Sequence, residues 1–241
     1  MRGWLLFFGV VFGALSATGC GAGARQGSDD APPPVERNER VLLVSSGTHY
    51  RDLSQALLFA SDNDTLRVAP GLYRGAFAIE GKRIRIEGPS QGEAVLQVSE
   101  EGIRVGPGGH LDLSRVVLRA EDRLTEAAAL RVVGSSATLV DVVVRDLPRP
   151  ALAFSSPGHL LTLLRCRFER VRGPVLHLEA GAAWVGASVV LDSAGPAFRL
   201  SQGAGPLHLS HVSALGNRAL IDAAPSERAH WSARATIADD P

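Results

Sequence analysis

From Ala129 onward the chain repeats itself about every 22 residues, and that period restricts the fold more than any other feature. Units open at Ala129, Ala151, Val175 and Ala197, with lengths of 22, 24, 22 and 22 residues, before a last one that opens at Ala219. Each unit begins with an apolar-x-apolar triplet, turns through a Gly or Ser cluster, and continues in a second alternating stretch. Those second stretches start at Leu111, Ala137, Leu161, Ala183, Leu207 and His230 and align without gaps. Apolar residues fall mostly at every second position, the period of a strand, and no segment sustains the 3.6-residue helical period. So short a unit cannot bury a core alone. Stacked units bury a continuous core and pair every backbone edge except those at the two ends. A leucine-rich repeat lacks its LxxLxLxxNxL spacing here, and a left-handed hexapeptide helix lacks its six-residue period. An antiparallel sandwich would not explain self-similarity at 22 residues. The chain therefore reads as all-β: a single-domain right-handed parallel β-helix of about eight rungs, residues 41–241, with a short N-terminal capping helix.

The segment that opens this domain carries a resemblance. Residues Tyr50 to Tyr73 present a short amphipathic stretch, then Asp64-Thr65, an apolar-x-Val strand, and a Pro-Gly-x-Tyr turn. In this order they resemble the opening of pectin-lyase-like β-helix proteins, and the likeness extends loosely over residues 41–240. Asp52 is placed to cap the helix, with Gln55 three residues on. Leu53, Ala56, Leu57 and Ala60 form one apolar face that plugs the open first rung.

The N-terminus reads as an address. Arg2 precedes an apolar run from Trp4 to Leu15, and small residues follow through Gly19, so residues 1–19 read as a signal peptide. The run Leu15 to Cys20 resembles a bacterial lipobox, with Ala17 where that pattern prefers Leu. It implies lipidation of Cys20; ordinary secretory cleavage is the other reading, because Ala17 and Gly19 suit that peptidase as well. Residues 20–40 hold Pro, Gly and charge with no large apolar residue but Val35, as a flexible tether would. The expected location is the bacterial outer membrane or cell surface, through a lipid anchor; otherwise the protein is secreted or periplasmic. Removal of the leader takes Arg2 and no acid, leaving 24 basic against 25 acidic residues. So even a balance implies no nucleic-acid partner. Two cysteines, Cys20 and Cys166, make no disulfide framework. Cys166 aligns with Val116, Val142, Ser188, Val212 and Ala235, which marks it as a small core residue.

The middle residues of the first triplets give the candidate site. Taken rung by rung, they read Arg67, Arg85, Arg104, Arg131, Ala153, His177, Arg199 and Ile221. Strand alternation turns them outward. Stacked arginines repel one another unless acids or a ligand intervene, and guanidinium forks suit carboxylates. The candidate ligand-binding set is therefore Arg67, Arg85, Arg104, Arg131, His177 and Arg199, and the expected partner is an anionic polysaccharide or envelope polymer. A plainer account stands beside it. Outward positions must be polar, Lys82 is the only lysine, and Glu87 and Glu179 lie close enough to pair.

In pectin-lyase-like enzymes such a face holds the substrate, so the resemblance also implies carbohydrate chemistry. The catalytic sets of polysaccharide lyases, polygalacturonases and pectin methylesterases are nonetheless missing, and no catalytic residue, metal or cofactor is assigned. Asp62 and Asp64 read as turn residues. His208 and His211, three apart on a strand, point to opposite faces. Three functions stay open: a non-catalytic glycan binder, a carbohydrate-active enzyme with an unfamiliar site, and a structural envelope protein. For the last rung, either the loop around Trp231 covers the end or a protein partner does.

Overall fold

The computed structural model describes residues 40–121, 128–223, 231–234 and 236–238. The expected signal peptide, Cys20 and all of the expected tether except Arg40 lie outside the described residues.

The chain forms a parallel β-helix of about eight turns. Each turn runs through three strands, so the solenoid has three faces. Face I begins with Val41–Val44, Asp64–Val68, Arg83–Glu87, His110–Ser114 and Ser136–Val140. It continues through the later parts of Leu152–Leu164 and Leu176–Gly186, then Ala204–Ser210 and Trp231–Arg234. Face II includes Val117–Ala120, Val143–Leu147, Arg167–Val171, Val189–Leu191 and Ser213–Leu215. Face III includes Leu130–Val133, the first parts of Leu152–Leu164 and Leu176–Gly186, Pro196–Leu200 and Ala219–Ala223. Gly71–Ile79 and Ala94–Val105 each pass from face II to face III in one long strand. Pairings between successive turns are parallel throughout.

Alternation works as a period of two demands. On face III, Phe77, Ile103, Leu130, Leu152, Leu176 and Phe198 stack inward in register. Each is no more than 2 % exposed. The helix α1, Leu53–Phe59, covers the first turn as its apolar face predicts, with Leu53, Ala56 and Leu57 buried. Asp52 accepts from the Ser54 amide at 3.1 Å. At the other end the lone lysine closes the helix: Lys82 Nζ donates to the Leu57 and Ala60 carbonyls at 2.6 and 3.0 Å. An ammonium there satisfies orphan carbonyls and meets the negative end of the helix dipole.

The corners differ in kind. Between faces I and II, Arg115, Asp141, Arg165, Ala187 and His211 on five successive turns all take left-handed φ values of 48–56°. Between faces III and I, six successive turns pass the corner on positive-φ glycines, from Gly81 and Gly108 to Gly203.

The last unit departs from its expected alignment by one residue. Ile221, not Leu220, continues the Leu176–Phe198 column, and Trp231, not His230, follows Leu207. The slip has a clear cause. In the expected register Asp222 would face the core; in the observed one it faces solvent and meets Arg199 at 3.1 Å, sparing the cost of a buried charge. Trp231 thereby takes an inward position on the final face I strand, yet it stays 52 % exposed. Downstream, Thr236 rather than Ala235 falls in the column of Cys166.

Candidate functional site

The site begins with a two-residue spacing. His110 and Asp112 alternate with Leu111 and Leu113, which are buried, so both polar side chains emerge on the outer side of face I. There they bond directly, His110 Nε2 to Asp112 Oδ1 at 2.9 Å. A carboxylate can only accept, so Nε2 carries the hydrogen, and in the neutral ring Nδ1 is the basic nitrogen. One turn earlier, Arg83 stacks on His110 and Arg85 on Asp112. One turn later, Ser136 and Thr138 occupy the same two columns. Burial works to raise the Asp112 pKa, but the hydrogen bond from His110 and the charges of His110, Arg85 and Arg83 outweigh it. The carboxyl is held below its usual range and is ionised at neutral pH.

Of these residues Arg83, His110 and Ser136 line a groove of ≈ 460 Å³ at the glycine corner, together with Asp62, Asn63 and His159. His159 Nδ1 lies 3.3 Å from Ser136 Oγ. Asp62 is a turn residue, as its surroundings in the sequence imply: its carboxylate accepts from the Arg83 amide at 2.7 Å and from Asn63 Nδ2 at 2.8 Å. Asp64 opens its strand, is 1 % exposed, and accepts from Arg40 at 2.6 Å. Burial pushes its pKa up, and the Arg40 hydrogen bond leads the interactions that reverse this and lower it.

The expected arginine column divides between two faces. Arg104, Arg131, Ala153, His177 and Arg199 do stack in one outward file on face III. Asp222 closes that file in place of Ile221, so it does contain an acid. Arg67 and Arg85 are on face I, and there in separate columns: Arg67 pairs in register with Glu87, and Arg85 with Thr65 and Asp112. The reason is that every turn carries three apolar-x-apolar triplets. Arg85 and Arg104 belong to the same turn but to different faces, I and III, and do not stack. Only Arg104 and Arg131 are consecutive arginines. Several members have partners: Glu80 lies 3.9 Å from Arg104, and Ser201 Oγ 2.7 Å from His177 Nε2. Arg67 and Arg115 both approach Glu87, each at 3.6 Å, beside a second cleft of ≈ 370 Å³.

Cys166 is buried in the stacked column expected for it. Burial pushes its thiol up to about 11, so it is a core atom and not a nucleophile at neutral pH. The His110–Asp112 pair escapes an alignment that begins at Leu111, because that cut removes His110. Its signal was Asp112 itself, an acid at a position where the next four turns carry Thr138, Thr162, Trp184 and His208.

Neither a protein-family model nor a curated protein matches this chain. Among solved structures it is similar to the PL6 family alginate lyase AlyGC, at 11 % sequence identity and a TM-score of 0.50. The superposed region covers 83 % of this chain but 40 % of that one, so the chain spans less than half the length of that enzyme. At such identity the likeness speaks to the path of the backbone, and what it establishes is the parallel β-helix.

Proposed function

We propose that this protein is a surface-anchored β-helix that holds an anionic glycan or envelope polymer in the corner groove between faces III and I. The observation that carries the reading is the placement of cations around that one groove. Arg83 lines it, Arg85 stands two residues further along the same strand, and Arg104 and Arg131 are outward residues on the two strands that lead into the corner. Guanidinium groups match carboxylates or sulfates in geometry and charge, and a groove concentrates their field. The anchor is Cys20, with the tether lifting the domain from the membrane. The measurement is binding of a linear polyuronate and of a neutral glucan to the full chain and to R83A/R85A. The polyuronate should bind, weaken with added salt, and lose about tenfold in affinity in the double variant, as two charge-assisted contacts would. Equal binding of both polymers, or none, overturns the reading.

A second reading, a carbohydrate-active enzyme, is favoured by the His110–Asp112 pair. An imidazole oriented by a carboxylate is a general base, and Arg83 and Arg85 beside it can neutralise a uronate carboxylate. His110 Nδ1 would take the proton α to that carboxylate. The released electron pair would form a C=C bond as the glycosidic C–O bond breaks, and the departing oxygen would take up a proton. The β-helix likeness to an alginate lyase supports carbohydrate chemistry in general. Release of ultraviolet-absorbing unsaturated ends by the full chain, abolished in H110A, would establish this reading over simple binding.

A further inference from the structure

The geometry points to a sugar-stacking subsite at Trp184, which makes the ligand a linear polysaccharide laid along the axis of face I. This rests on the glycan reading above and names the class of its ligand. Ala183 and Val185 are fully buried, so alternation turns Trp184 out to solvent, where it is 36 % exposed. Over the three turns before it its column holds Asp112, Thr138 and Thr162, and after it His208 and Ser232, all polar. Among the described residues the indole has no aromatic partner and its N–H has no protein acceptor. Gly186 lets the ring lean along its own strand: a Cβ there would stand 2.9 Å from Cη2 and 3.0 Å from Cζ2. A broad apolar ring that leans toward Gly186 and Leu164, with a hydroxyl before it and an imidazole after it in its column, is poorly placed for a protein core and well placed for a pyranose. The axial C–H groups of a sugar carry slight positive charge and meet the negative face of the indole, while its hydroxyls reach polar neighbours at the ring's edge. Thr162 lies one turn before the indole, and His208 one turn after it.

Trp184 stands three turns beyond Asp112 in one straight column, a separation of about 14 Å at the spacing of neighbouring strands. A polymer with its charged units at Arg83 and Arg85 and its chain along the axis would reach the indole. A short oligomer would not.

The test uses the full chain with W4F and W231F, which leaves Trp184 as the only one of its three tryptophans. It is titrated with galacturonate oligomers of two to eight units and with neutral cello-oligomers of the same lengths. Short uronate oligomers should bind without changing the indole emission. Longer ones should shift it and gain about tenfold in affinity, the worth of one aromatic stacking contact. W184A should lose that gain and leave the short oligomers untouched, while W184F keeps part of it. Affinity of long oligomers unchanged in W184A, or an unmoved emission on their binding, overturns the subsite. A neutral oligomer that shifts the emission equally in the R83A/R85A background sustains the subsite and overturns the anionic reading instead. No response to either series overturns both.

Discussion

The corner between faces I and II and the corner between faces III and I solve the same bend in opposite ways. At the first, five successive turns place a side chain on a left-handed residue, a conformation that costs an L-residue roughly 1–2 kcal/mol. The stacked side chains then interact: Arg165 grips Asp141 with two hydrogen bonds, of 2.6 and 2.8 Å. The corner from face II to face III repeats the device with Asp146, Arg170 and Asp192, and Arg170 donates to Asp146 at 2.6 Å. At the glycine corner a Cβ at Gly81, Gly108 or Gly158 would have no side chain within 4 Å, and there the groove of His110 and Arg83 opens. A solenoid that stacks charges on one edge consumes them in ladders. An edge stripped to glycine leaves the neighbouring outward charges turned toward a cleft.

The largest effect should come from a side chain placed on the glycine corner. A Cβ at Gly181, where φ is +89°, would sit 2.2 Å from the Ser156 carbonyl oxygen and 2.7 Å from Phe154 Cε1. Gly181→Ala should therefore cost about 3 kcal/mol or more, read from the urea unfolding midpoint. An unchanged midpoint would mean that this corner does not need glycine.

Acid should next distinguish the charged corners. The Arg165 hydrogen bond holds the Asp141 carboxyl below its usual range, and the Arg170 hydrogen bond does the same for Asp146. Carboxyls depressed on folding stabilise fully above their unfolded pKa of about 3.9 and lose that contribution as pH falls through the folded values. Stability should thus be level near neutrality and drop below about pH 4. D141N/D146N should show a smaller acid loss; an identical acid limb would remove the ladders from the explanation, leaving Asp64 and Asp112, whose carboxyls are also held low, as its sources.

The smallest effect should come from the left-handed alanine of the first corner. Ala187 takes φ 48° with no side-chain polar group to offset the strain. Ala187→Gly should raise stability by about 0.5–1 kcal/mol, the relief of left-handed strain less the added freedom of the unfolded chain. Thermal unfolding would show it, and a loss instead would mean that the methyl group packs usefully against its stack.

Much of this was legible because a strand writes its own period into sequence. The alternation of Leu111, Leu113, Leu161 and Leu163 with polar residues announces which side faces the core, and the structure buries all four. Cys166 was recognisable by the company it keeps in alignment, and α1 by one apolar face and an Asp before it. The arginine file was only half legible. Arg104 and Arg131 stack as read, whereas Arg67 and Arg85 look identical to them in sequence and belong to another face. Nothing local marks that difference, since a triplet with Arg at its centre fits any of the three faces.

By itself, then, the sequence determined the strand period, the repeat after Ala129, the inward and outward sides, and the helix that closes the first turn. These are local properties, set by which side chains water rejects. The tertiary structure decided which triplet stacks on which, the one-residue slip that turns Asp222 to solvent, and the meeting of His110 and Asp112 with Arg83 and Arg85. Those depend on how many residues each corner consumes, and corner length is settled only when successive turns pack and hydrogen-bond against one another.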